Sequence, residues 1–302
     1  MHSPIVAPET LAAWIEAGRS GLRVIDVRWY LGQPKDAGLT AYVEGHIPTA
    51  IHLDIDADLT ARDGPGRHPL PDPAVFAATL AARGIGDGDL VVAYDDVGGW
   101  VAARLWWMLE DLGFGTDGHG RALVLDGGLQ AWVAAGGSLT TTIPVVEPAA
   151  DLHLGTSWGR VVDRDALKPR LGKVLLLDAR AGPRYRGEVE PIDPRPGHIP
   201  TAVNAPVAGN LQPDGRLRDA RELAESFGAM RAAAGKAGLA SAARPDSPIV
   251  VSCGSGISAC HTALAMRIAG LPDPILYPGS YSDWSTAGEP VAVDSDPGRF
   301  LG

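Results

Sequence analysis

Cys253 stands directly after an apolar, β-branched run in "IVVSCGSGISACH", residues 249–261, and is followed by Gly254, Ser255 and Gly256 before a pattern of small residues with helical period. A strand, a glycine-rich turn and a helix aim successive backbone N–H groups into one cavity, with the positive end of the helix behind them. Such a cradle suits an anion, and a cysteine at its mouth has its thiolate favoured over its thiol. Lowering a thiol pKa by about two units takes roughly 2.7 kcal/mol. Several charge-assisted hydrogen bonds supply that much. Gly254 and Gly256 allow the tight backbone the cradle needs and leave room for a substrate close to the main chain. The chemistry expected here is nucleophilic attack by a thiolate.

The second cysteine, Cys260, falls seven residues later among Ala259, Ala263 and Leu264. That setting reads as packing, because free cysteine is among the most buried residue types. A C-x6-C spacing with only His261 beside it lacks the four-ligand pattern of a zinc site, so no metal is expected. A cysteine phosphatase needs an arginine six residues after its cysteine, and Ala259 stands there.

The elements that position this loop come from a chain of 302 residues, long enough for two domains. It is 45% hydrophobic and 21% charged, with a net charge of -10. That acidity disfavours nucleic acid and anionic membrane surfaces as partners. The N-terminal stretch "MHSPIVAPETLAAWIEAGRSGL" shows no signal-peptide pattern, no apolar run approaches membrane-spanning length, and two cysteines make no disulfide framework. A cytoplasmic protein is expected.

The chain repeats itself. "VIDVR" then "GHIPTAIHL" in the first half answers "LLLDAR" then "GHIPTAVNAP" in the second, at the same interval. "LVVAYDD" answers "PIVVSCG", and Trp132 and Trp284 hold matching places. Unbroken apolar runs alternating with helical patterns indicate an α/β fold with a mostly parallel sheet and helices on both faces. The expected boundaries are a first domain over residues 1–140, a linker over 141–157 rich in Thr and Pro, and a second domain over 158–302. Asp26 with Arg28, and Asp178 with Arg180, read as structural ion pairs, and His46 and His198 as residues that fix a turn. Both sets occur in the repeat that lacks the cysteine, where Asp95 takes its place. Trp106 and Trp107 read as a buried helix face.

Taken together, the tandem "D-x-R … GHIP-x-A", the loop "CGSGIS" and the segments "DGG…W" and "PGS…W" resemble the rhodanese superfamily of sulfurtransferases, over nearly the whole chain. The resemblance implies two rhodanese-like domains, of which the second is catalytic. Its chemistry is a double displacement without a cofactor: the Cys253 thiolate takes sulfane sulfur from a small-molecule donor as a persulfide. The sulfur then passes to cyanide or an acceptor thiol such as thioredoxin. The loop residues Gly254, Gly256, Ile257 and Ser258 would hold the donor.

Thiosulfate enzymes of the superfamily carry cations in a loop resembling C-R-K-G-V-T, whereas "CGSGIS" resembles the C-G-S-G-V-T loop of the 3-mercaptopyruvate enzymes. The resemblance therefore implies 3-mercaptopyruvate as donor, with thiosulfate, or a non-catalytic persulfide-carrying module, as alternatives. It also implies a Ser-His-Asp relay of Ser255, His68 and Asp56. The competing reading is that Asp54 and Asp56 cap a turn and His68 is a solvated loop residue. Arg184 matches the superfamily arginine that binds the donor carboxylate, an anion a guanidinium fork suits. A second arginine usually follows the "EP" pair, but here Ile192 stands there and Arg195 is the nearest candidate to replace it. Arg186 is expected to face solvent.

Overall fold

The structure, a computed structural model, describes residues 3–116, 120–150, 152–293 and 295. Packing divides the chain into two units, the first made of Met1–Arg62, Leu70–Gly159 and Leu211–Leu217, the second of Asp63–Pro69, Arg160–Asn210 and Arg218–Gly302. Two short segments thus pack with the repeat to which they do not belong in sequence.

In the first unit the order is β1 (Ile5–Val6), α1 (Pro8–Glu16), β2 (Leu22–Asp26), α2 (Ala37–Glu44), β3 (Ile51–His52) and α3 (Pro73–Ala82). It continues with β4 (Leu90–Tyr94), α4 (Ala102–Asp111), β5 (Arg121–Leu125) and α5 (Gly128–Ala134). The strands form a parallel sheet in the order β1-β5-β4-β2-β3. The run "LVVAY" of β4 can be almost wholly apolar because both faces of a parallel sheet are covered. Val24, Val92, Leu123 and Trp132 join one core, and Trp106 and Trp107 are buried as expected. The stretch after α5 docks on this unit: Ala149 N–H donates to Ala81 O, and the Trp158 ring stacks on Trp107 at 5.9 Å.

The second unit runs α6 (Arg164–Leu167), β6 (Leu175–Asp178), α7 (Gly182–Tyr185), β7 (Val203–Asn204), α8 (Ala220–Lys236), β8 (Ile249–Ser252), α9 (Ser258–Ile268), β9 (Ile275–Leu276) and α10 (Ser280–Thr286). Its sheet, β7-β6-β8-β9, is again parallel and repeats the strand order of the first, apart from β1. Helix α8 starts with a capping box in which Asp219 and Glu222 each satisfy the other's backbone N–H. Leu176, Ile199, Val250, Tyr281 and Trp284 belong to its core.

The repeated motifs are devices of the fold. Arg28 holds Asp26 at 2.7 Å and Gly45 O at 2.8 Å; Arg180 holds Asp178 at 2.7 Å and Gly197 O at 2.7 Å. Each arginine thus ties the end of a strand to the "GHIP" turn. His46 and His198 each pair Nδ1 with a backbone carbonyl, of Tyr42 and Tyr185, and stack on that tyrosine's ring. The threonine of "GHIPTA" takes a left-handed backbone in both repeats, with φ of 71° at Thr49 and 68° at Thr201. Among the described residues, no helix is long and apolar enough to cross a membrane.

Candidate active site

Cys253 follows the last residue of β8, a strand flanked by β6 and β9, at the carboxyl edge of the sheet where α/β folds place their ligands. The loop is pinned from the side by the start of α10. Cys253 N–H donates to Ser280 Oγ at 3.1 Å, Tyr281 N–H to Cys253 O at 3.0 Å, and Ser282 N–H to Gly254 O at 2.9 Å. Gly256 has φ +80°, and a Cβ there would meet Pro278 O at 2.6 Å, so no other residue fits. Its N–H donates to Cys253 Sγ at 3.1 Å. Cys260, fully buried in α9, donates its thiol to Gly256 O at 3.2 Å, so it steadies the loop from within the core. Helix α9 begins at Ser258, five residues after Cys253.

The matching loop of the first unit shows such a cradle with a carboxyl group inside. The buried Asp95 carboxylate accepts from Val97 and Gly99 on one oxygen and from Val101 and Ala102 on the other, at 2.7–2.9 Å. Burial pushes this carboxyl up, and the four N–H groups pull against that shift. An acid in the position of Cys253 fills the cradle with its own side chain and offers no nucleophilic sulfur.

Charge gathers beside Cys253 from outside its loop. The point where a Cβ on Gly254 would stand lies 2.8 Å from Arg67 Nη2 and 3.5 Å from Arg184 Nη1. Arg67 pairs with Asp193; Arg184 reaches Glu190 at 2.7 Å and Asp193 at 3.0 Å. Glu190 in turn meets Arg180 at 3.4 Å, and Arg180 lies 3.8 Å over the Tyr281 ring. Burial works against the charge of Glu190, but Arg184 and the N–H groups of Asp193 and Ile192 prevail and hold its carboxyl below the usual range. For Asp193 burial wins: its carboxyl is pushed up in spite of Arg67 and Arg184.

The expected site residues fall into two groups. Cys253, Gly254, Ser255, Gly256, Ile257, Ser258 and Arg184 are brought together in the second unit. His68 joins them there, because the segment Asp63–Pro69 packs with that unit; it is buried, not the solvated loop residue of the competing reading. Gly66, at φ +81°, brings its backbone against Gly279, and Arg67 N–H donates to Ser282 Oγ at 3.1 Å. The stretch Pro278–Ser282 therefore clamps both the Arg67–His68 segment and the cysteine loop. Asp56 lies in the first unit, where Trp29 Nε1 donates to it at 3.3 Å. Asp54 does cap a turn, accepting from Ala57 N–H.

Arg195 does not fill the place left by Ile192. Its guanidinium donates to the carbonyls of Ser285, at 3.1 Å, and Glu289, at 2.6 Å, and so closes the C-terminal end of α10. Arg186 pairs with exposed Glu188 at the surface, as expected. The residues that sequence reasoning missed are Arg67 and Asp193. A trace of Arg67 was there to find: a cation between Gly66 and the candidate catalytic histidine His68, in a chain whose cysteine loop carries no cation of its own.

A model of the rhodanese-like domain matches residues 7–135 and 163–287. "Probable 3-mercaptopyruvate sulfurtransferase" of Pseudomonas aeruginosa is 44% identical over 270 residues, covering 88% of this chain and 89% of that protein. "Thiosulfate sulfurtransferase" of Bos taurus is 32% identical, covering 94% and 92%. Among solved structures, 3-mercaptopyruvate sulfurtransferase from Leishmania major superposes with a TM-score of 0.79 at 30% identity, covering 94% of this chain and 75% of that one.

Proposed function

We propose, for a chain that belongs to the rhodanese family and is a sulfurtransferase like the relatives it matches, that the donor is 3-mercaptopyruvate and the sulfur carrier is Cys253. The Cys253 thiolate attacks the donor sulfur, the carbon–sulfur bond breaks, and its electron pair leaves with the carbon as the enolate of pyruvate, which takes up a proton. The sulfur stays as a Cys253 persulfide. An acceptor thiolate, or cyanide, then attacks the outer sulfur, and the sulfur–sulfur bond returns its electrons to Cys253.

The observation that carries the reading is the convergence of two guanidiniums, Arg67 and Arg184, beside a loop that presents Cys253 Sγ to a backbone donor. A carboxylated thiol needs both features: cations for its carboxylate and hydrogen-bond donors for the sulfur anion. Ser255 and His68 act near the donor carbonyl in this scheme, with Asp56 as the third member of the relay. The loop itself is neutral, but Arg67 puts a cation where a side chain on Gly254 would be. This also keeps thiosulfate as a second reading, since its sulfonate is an anion that the same pair would attract. The proposed place of action is the cytoplasm, where the free thiols Cys253 and Cys260 stay reduced and acceptor thiols are plentiful.

Incubation with each donor followed by intact mass measurement tests the reading. A gain of about 32 Da from 3-mercaptopyruvate, the mass of one sulfur atom, is expected on Cys253, lost in Cys253→Ser and released by an added thiol. No gain from this donor would overturn its assignment, and a kcat/KM higher for thiosulfate would favour the second reading.

A further inference from the structure

We propose that Asp193 is a specificity-determining placeholder: its carboxylate occupies Arg67 and Arg184 as the donor's carboxylate must, and the donor binds by replacing it. The inference rests on the donor reading above and adds a residue to it.

Asp193 and Glu190 both touch Arg184, but in different ways. Glu190 takes Nε at 3.2 Å and Nη2 at 2.7 Å, and accepts the N–H groups of Ile192 and Asp193, so it fixes both the guanidinium and the turn. The Asp193 carboxylate rests on the two guanidiniums, Arg67 Nη1 and Arg184 Nη2. Those are the groups that converge beside Gly254. Without Asp193, Arg184 keeps Glu190 and the Arg67 backbone keeps Ser282 Oγ. The Arg184 guanidinium and the Arg67 backbone are therefore held independently of Asp193, which can leave without unmaking either hold.

Charge balance points the same way. Arg67, Arg180 and Arg184 face Asp178, Glu190 and Asp193, a neutral set. A donor anion added to it leaves a surplus negative charge in a buried site, which is costly unless one acid withdraws or takes a proton. Asp193 is suited to either course. Burial already pushes its carboxyl up, and a cavity of about 560 Å³, lined by Gly64, Arg67, Asp193 and Ser282, gives it space to turn into.

The two acids must then act with opposite sign. With 3-mercaptopyruvate as donor and 2-mercaptoethanol as acceptor, Asp193→Asn is expected to lower KM about threefold or more, with kcat changed less than twofold. Inhibition by pyruvate should tighten in parallel. Glu190→Gln is expected to raise KM, since it loosens Arg184. A structural role alone would move both variants the same way. A folded Asp193→Asn whose KM is unchanged or raised overturns the placeholder. Asp193→Ser provides a second neutral side chain, and failure of both variants to fold would make Asp193 a structural counter-ion and overturn the proposal too. A wild-type chain loaded by thiosulfate and not by 3-mercaptopyruvate overturns the donor reading alone; the KM for thiosulfate then decides for or against Asp193 by the same signs.

Discussion

Arg67 Nη2 lies where a side chain on Gly254 would begin, 2.8 Å from the Cβ position, so the two residues exclude each other's bulk. The glycine after the cysteine is thus a space kept for a cation carried elsewhere in the chain. The clash in Gly254→Ala falls on the far end of a flexible side chain, which can move aside. We predict that this variant keeps its thermal stability within about 0.5 kcal/mol of wild type but raises KM for 3-mercaptopyruvate several-fold. Combining it with Arg67→Gln should add little, because both changes remove the same contact. Additive losses in that double-mutant cycle would separate the two residues.

Gly256→Ala should behave in the opposite way. Its φ of +80° and the approach of Pro278 O to 2.6 Å leave no flexible atom to yield. We predict a loss of about 2–3 kcal/mol in denaturant unfolding together with loss of turnover, because the N–H that faces Cys253 Sγ is displaced. A midpoint equal to wild type would contradict the strain.

Cys260 donates to Gly256 O from within α9 and is fully buried. Cys260→Ala is expected to accept one sulfur atom per chain, as wild type does, with a destabilisation of about 1 kcal/mol. Loss of the mass adduct in this variant would give Cys260 a chemical role.

Asp95 satisfies four backbone N–H groups of its loop, and Ala in its place leaves them buried without that acceptor. We predict that Asp95→Ala costs about 3 kcal/mol or more, that Asp95→Asn recovers part of it, and that neither prevents sulfur loading of the folded protein. Unfolding curves compared with adduct formation on the same samples check this.

The depressed carboxyl of Glu190 makes a statement about pH. A carboxyl whose folded pKa lies below its unfolded one stabilises the protein above the ordinary carboxylate value, near 4.3, and that contribution is lost as pH falls through the folded value. Glu190→Gln should therefore lower the free energy of unfolding at pH 7 by an amount on the order of 2 kcal/mol, and the gap to wild type should narrow as pH falls below the ordinary carboxylate value. A gap that stays constant down to pH 3 would show that the loss is not linked to ionisation.

The sequence by itself determined what is local or repeated. Cys253, the glycines around it and the helix that follows are contiguous, so their spacing alone marked a candidate anion-binding loop. The tandem "GHIPTA" motifs marked the devices that tie each sheet together, and Asp95 in the matching place marked the first repeat as lacking a nucleophile. Tertiary structure alone decided the charge around the sulfur. Arg67 and Asp193 meet across 126 residues of chain, because the segment Asp63–Pro69 packs with the second unit. Arg195, close to Arg184 in sequence, turns instead to the carbonyl end of α10. A guanidinium is long and flexible, and what it neutralises depends on the carboxylates and carbonyls that the fold brings within its reach, which spacing along the chain does not encode.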